Sequence, residues 1–421
     1  MRAVTELALK FTTPTVDRSF DQTRLDLTRR ARTSLFPWRG QFSPELVEFL
    51  LEELPSDGLL VDPFVGSGTT LFECGRLGID ALGAEINPAA VSFAVLSELT
   101  SLERSERMRA ADDVLQVLQR LPNAVTGGLF DDGGGTSPDY AEIVKSVATD
   151  LGDTPSAAIF RAALLLAMGH KPHVDLGHVR AEVSRLRRVL ATLPVSSGCR
   201  RAVAADARQL PLDDCAASGA VTSPPYINVF NYHQQYRPAV ELLGAGPLSV
   251  ARAEIGANRK HRQNRFLTVV QYGLDIEASL QELHRVLISR SIAKFVVGRE
   301  SNVRGVAFRN GRLIAAIAEG SGMFVVERWQ ERRFTTRFGE SIYEDILTLR
   351  SRPHPTTLDG FHARSAAVWE LEQACQRPLD RDVKSDLEAA IAGAEAVTPS
   401  PLFDPDAVPW LKRPSFFTPL R

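Results

Sequence analysis

Apolar residues first fall at helical spacing in "QFSPELVEFLLEEL", where Leu46, Phe49, Leu50 and Leu54 recur on one face. Ser43 stands where an N-cap belongs, Pro44 suits the first helical position, and Glu45 favours the positive end of the helix dipole. "GLLVDPF" follows as a short buried strand stopped by Pro63, and "GSGTTLFECGRLG" turns into a helix that Gly78 ends. "IDALGAEI" reads as the next strand, and Asn87-Pro88 caps the helix "NPAAVSFAVLSEL". From about residue 98 to 198 only helical patterns occur. Strands resume at "RAVAAD" and "SGAVTSPPY", followed by a polar, aromatic loop and a helix over roughly 274–287. The strand "SIAKFVVG", the helix "RGVAFRNGRLIAAIAEGSG" and the strands "MFVVERW" and "IYEDILTLR" complete the pattern. Strand–loop–helix alternation of this kind predicts an α/β fold with a mostly parallel, Rossmann-like sheet. The expected organisation is an N-terminal arm (1–35), an α/β domain in two pieces (36–97 and 199–351), a helical insert (98–198), and a C-terminal helical segment and tail (352–421). The proline-rich tail is expected to dock on the surface or stay extended.

Composition narrows this little. The chain has 421 residues, 44% hydrophobic and 24% charged, the balance of a globular protein with room for two or three domains. No apolar run is long enough to span a bilayer, and "MRAVTELALKFTTPT" lacks the pattern of a secretory leader. Cys74, Cys199, Cys215 and Cys375 form no CxxC pair, which argues against structural zinc and disulfides and for a reducing cytoplasm. The net charge of −2 does not announce a nucleic-acid binder. "RKHRQNR" (259–265) and "ERRFTTR" (331–337) are nevertheless concentrated basic runs, suited either to phosphate contacts or to a solvated surface.

The chemistry gathers at strand ends. "VDPFVGSGTT" sets glycines between a strand and a helix, where backbone can approach a ligand closely. It is neither the dinucleotide G-x-G-x-x-G nor a Walker loop, since no lysine follows. Asp62, Glu85 and Asp206 end successive strands. Three carboxylates suit a ligand with hydroxyls, amines and a positive charge, such as S-adenosylmethionine, and suit a polyphosphate badly. The competing reading makes each acid an ordinary helix cap. "TSPPY" ends another strand in a stiff turn. Proline has no N–H, so this turn presents acceptors without competing donors, and Tyr226 offers a flat face for stacking.

These segments resemble the amino-methylating DNA methyltransferases. "DPFVGSGTT" is similar to their motif I, "GAEINP" to motif II, "AADARQLPL" to motif III, "TSPPY" to motif IV and "FPWRGQFSPEL" to motif X. The resemblance implies an S-adenosylmethionine site drawn from Phe42, Asp62, Phe64, Gly66, Ser67, Gly68, Thr69, Glu85, Asn87 and Asp206. In this implied set the motif I acid and glycine loop hold the methionine end, Glu85 the ribose and Asp206 the adenine amine. It further implies a catalytic set of Ser223, Pro224, Pro225 and Tyr226, no metal, and double-stranded DNA with a flipped-out base as substrate. Serine in motif IV favours cytosine N4. Adenine N6, an RNA amine, and a non-catalytic subunit that binds DNA are the alternatives. Asn228, Tyr232, His233 and Tyr236 are further candidates to border the base. An insert between motifs II and III departs from the family's usual order, so the insert, the loop at 235–270 and the C-terminal segment are all candidates for target recognition, the insert together with "ANRKHRQNR" foremost. By analogy, a restriction or defence component is a partner.

Overall fold

The structure, a computed structural model, describes residues 22–26, 32, 34–121, 140–228, 231–257, 261–335, 340–353 and 361–408. Most of the arm, the Gly/Asp-rich loop before residue 140, and parts of both basic runs lie outside the described residues.

In chain order the elements that carry the argument are α1 (Gln22–Asp26), α2 (Pro44–Leu51), β1 (Leu59–Asp62), α3 (Thr69–Leu77), β2 (Ala81–Glu85) and α4 (Pro88–Ala94). The insert supplies α5 (Arg104–Gln119), α6 (Tyr140–Leu151), α7 (Pro155–Met168) and α8 (Leu176–Thr192). Then come β3 (Arg200–Ala204), β4 (Ala217–Thr222), α9 (Arg237–Leu242), α10 (Pro247–Ala253), α11 (Leu267–Val286), β5 (Leu287–Gly298), β6 (Glu300–Val303) and β7 (Val306–Arg309). The remainder is α12 (Asn310–Gly320), β8 (Phe324–Thr335), β9 (Ser341–Ser351), α13 (Phe361–Cys375) and α14 (Arg381–Gly393).

Seven strands form one sheet in the order β3-β2-β1-β4-β5-β9-β8. The first five run parallel, while β9 pairs antiparallel with both β5 and β8. Strand order reverses between β1 and β4, so their carboxyl ends open a crevice where such sheets bind ligands. Local signals hold where expected. Gly78 ends α3 at φ +72°, and the Asn87 side chain accepts from the amides of Ala89 and Ala90 to cap α4. Ser43 occupies the N-cap position of α2, yet its hydroxyl donates to Glu45 at 2.9 Å rather than capping the backbone.

Several boundaries differ from the sequence pattern, among them the strand "SIAKFVVG", which begins at Leu287. The helix expected from residue 304 begins at Asn310, because Val303-Arg304-Gly305-Val306 is a tight hairpin turn with positive φ at both central residues. The helix expected from 274 begins at Leu267; Thr268 through Glu277 are all buried, which erases the amphipathic signal. Strand β8 runs on to Thr335, paired with β9 along its length. The insert shares one apolar core with Phe36, Trp38, Phe93 and Tyr236, so its helices pack directly against the segment ahead of α2. Among the described residues no helix is long and apolar enough to cross a membrane, and no group of side chains could hold a metal.

Candidate active site

One cavity, about 990 Å³ with its open mouth included, lies at the carboxyl ends of β1, β2, β3 and β4. The glycine turn and the Pro-Pro corner both open on it. Phe42, Phe64, Gly66, Ser67, Thr69, Glu85, Asn87 and Asp206 line it, as do Ser223, Pro224, Pro225 and Tyr226. Asp62 and Gly68, expected beside them, are not in its wall.

Asp62 lies under the turn. It is 2% exposed and accepts from Thr70 Oγ1 (2.6 Å), Thr222 Oγ1 (2.7 Å) and the amide of Phe64 (3.1 Å). Burial outweighs these bonds and pushes its carboxyl up to about 6. Gly68 has φ +92°, and a Cβ there would stand 2.7 Å from the backbone of Ala94, so only glycine allows α3 to start this close to α4.

Glu85 is the acid that faces the cavity with partners drawn from backbone alone. Its oxygens accept from the amides of Asn87 (2.8 Å) and Gly66 (3.1 Å). Burial still raises it to about 7, with nearby Glu254 adding to the shift. Asn87 spends Oδ1 on capping α4, while its buried Nδ2 has no partner. A buried acceptor beside an unpaired buried donor on one wall fits a vicinal diol. Asp206 also lines the wall, but Arg208 grips it through both oxygens at 2.7–2.9 Å.

The cavity roof joins Trp38 and Gln41, to which the motif reading gave no role, with Tyr232, already a candidate to border the base. Trp38 stacks in parallel on Tyr232 and Tyr236 with centroids 6.0 and 6.3 Å apart, and Gln41 Oε1 accepts from Ser67 Oγ at 3.1 Å. Tyr232, Glu254 and Ile255 close the other side. For Trp38 and Gln41 the hint in the sequence was the aromatic density of "FPWRGQF". His233 is buried with Nδ1 2.9 Å from Glu254, and Asn228 donates to the carbonyl of Asn302 at 2.6 Å. These contacts hold the roof and the hairpin β6–β7 in place. The Tyr226 ring leans on Gly298, where a Cβ would stand 2.8 Å from Cε2.

Parallel strands, an antiparallel closing pair and a ligand crevice at the β1/β4 reversal define a Rossmann-like methyltransferase fold. Residues 15–96 match the family model described as DNA methylase, N6_N4_Mtase. Type II methyltransferase M.MjaII of Methanocaldococcus jannaschii is 40% identical over 67 residues, 15% of this chain and 13% of its own length. Type II methyltransferase M.BsoBI of Geobacillus stearothermophilus is 35% identical over 83 residues, 19% and 16% respectively. The chain thus spans only 13% and 16% of the length of these relatives. A solved SAM-dependent methyltransferase from Methanosarcina mazei is similar at 12% identity, over 73% of this chain and 98% of that one, with a TM-score of 0.32. Over residues 15–96 the chain is thus similar to the amino-methylating DNA methyltransferases.

Proposed function

We propose that the chain transfers a methyl group from S-adenosylmethionine to the exocyclic amine of a flipped-out DNA base, cytosine N4 in particular. One observation carries this reading: the glycine turn with Glu85 and the Ser223–Tyr226 corner share a single cavity. Glu85 and Asn87 would hold the ribose hydroxyls. The cofactor, when bound, supplies an electrophilic methyl carbon on a sulfonium. At the other end Ser223 Oγ and the carbonyl of Pro224 accept the N–H bonds of the base amine, and Tyr226 supports its ring. The amine nitrogen bonds to the methyl carbon as the carbon–sulfur bond breaks, and its surplus proton leaves to water. No base of the chain is needed, in keeping with the burial of His233 against Glu254. Rate comes from positioning and fixed dipoles. A base inside a duplex cannot enter such a pocket, which is why methyltransferases extrude it. Serine at the head of the corner supports cytosine over adenine. By family analogy a restriction or defence component is the proposed partner.

The test is to incubate the full chain with unmethylated genomic DNA and S-adenosylmethionine, hydrolyse to nucleosides and weigh them. N4-methyldeoxycytidine is expected. N6-methyldeoxyadenosine would overturn the choice of base, and unmodified nucleosides would overturn the transferase reading.

Glu85 gives a second expected outcome. Hydroxyls donate best to the ionised carboxylate, so cofactor binding favours that form. With a free value of about 7, roughly nine in ten molecules are protonated at pH 6 and few at pH 8. Calorimetry with S-adenosylhomocysteine should therefore give an affinity about tenfold weaker at pH 6 than at pH 8. Glu85→Gln should bind weakly at both, with this dependence gone.

A further inference from the structure

Arg208 is the most fully bonded side chain near the cavity, and it lies outside every motif role assigned above. Its Nε donates to Asp206 Oδ1 at 2.9 Å and its Nη2 to Asp206 Oδ2 at 2.7 Å. Nη1 donates to Asp275 Oδ1 and to the carbonyl of Ser400, both at 2.8 Å, and Nη2 also reaches the carbonyl of Pro401 at 2.8 Å. All five guanidinium donors are thus used, two of them on the C-terminal tail.

The tail answers from its own side. Ser400 N donates to Asp275 Oδ1 at 2.8 Å, Gln271 Nε2 to the carbonyl of Thr398 at 3.0 Å, and Phe403 N to Asp206 Oδ2 at 2.9 Å. Phe403 and Val408 pack with Val250 and Ala253 against Ile86 and Ala204. Ile86 and Ala253 are themselves cavity residues. Asp206 Oδ1 also accepts the amide of Arg208 at 3.0 Å. Each Asp206 oxygen therefore takes two internal donors. A carboxylate offers about four acceptor positions, so none is left for a ligand.

We propose that residues 398–403 form a strap that braces the Asp206 wall of the cofactor pocket from behind, and that Asp206 is a positioning residue tying the strap to the sheet rather than an acceptor for the adenine amine. This rests on the cofactor reading above. In the full-length chain, Asp206→Asn brings an amide group against the donors of Arg208 and loosens the strap.

The test combines hydrogen exchange with binding of S-adenosylhomocysteine and its 6-oxo analogue, S-inosylhomocysteine, which lacks the amine. In Asp206→Asn, exchange over 398–408 should quicken at least tenfold, and both compounds should lose affinity by the same factor. Ser400→Ala, whose hydroxyl touches Asp275 and not the cavity, should quicken the same segment and weaken both compounds about threefold. Bound S-adenosylhomocysteine should slow exchange there in the wild type. Unchanged strap exchange in both variants would overturn the proposal. So would a loss in Asp206→Asn confined to the compound that carries the amine. A wild type that binds neither compound overturns the cofactor reading itself, whereas one that binds while the strap stays indifferent overturns only this inference.

Discussion

Ser223→Ala should lower methyl transfer about a hundredfold or more while S-adenosylhomocysteine affinity stays within about twofold. Ser223 stands at the end of β4, where Thr222 is fully buried and Pro224 and Pro225 remove both backbone donors. The two prolines that follow fix the turn that carries it before any base arrives. A preset acceptor strengthens as the amine gains positive charge in the transition state, so its loss falls on kcat. Tyr226→Phe keeps the ring against Gly298 and removes only the hydroxyl at this corner. It should cost about tenfold in kcat with little change in KM. Single-turnover transfer to DNA, read beside calorimetry on the same preparations, separates the two. Full activity in Ser223→Ala would end the assignment of this corner to catalysis.

The contrast between legible and hidden features runs through single residues. Strand ends, glycine turn and helix caps are local, and backbone physics writes them locally: Gly78 and Asn87 do what their positions announced. The three acids at strand ends were legible as a set, but not their directions. Asp62 turns under the glycine loop, Glu85 faces the cavity, and Asp206 is bound by an arginine two residues away together with a tail nearly two hundred residues downstream. Such pairings depend on tertiary approach, which periodicity does not encode. The hairpin at Arg304-Gly305 was readable in principle, since Arg-Gly sat between Val303 and Val306. The stronger helical period beginning at Leu313 overrode it. The early start of α11 was not readable, because a segment buried on every side has no polar face to keep time. The roof formed by Trp38 and Tyr232 joins residues far apart in the chain and became visible only as a stack.

Asp62→Ala carries the largest expected loss of stability. Its carboxylate joins three segments: the amide of Phe64 in the turn, Thr70 in the first turn of α3, and Thr222 at the end of β4. Alanine leaves two buried hydroxyls and one amide without their acceptor. At about 1–3 kcal/mol for each orphaned group, less what local relaxation recovers, the expected cost is about 3–5 kcal/mol. Denaturant unfolding should register it as a lower midpoint at unchanged slope. Thr222→Val removes one bond of the three and should cost about 1–2 kcal/mol. The functional consequence follows from where the three segments lead. Phe64 opens the glycine turn and Thr222 precedes Ser223, so Asp62 fixes the glycine-turn half of the cavity against the Ser223–Tyr226 half. Asp62→Ala should therefore weaken S-adenosylhomocysteine at least tenfold, even at temperatures where the chain remains folded. Loss of stability with affinity intact would mean that the turn holds its shape without this buried acid, and that the two halves are coupled through the backbone of β1 and β4 alone.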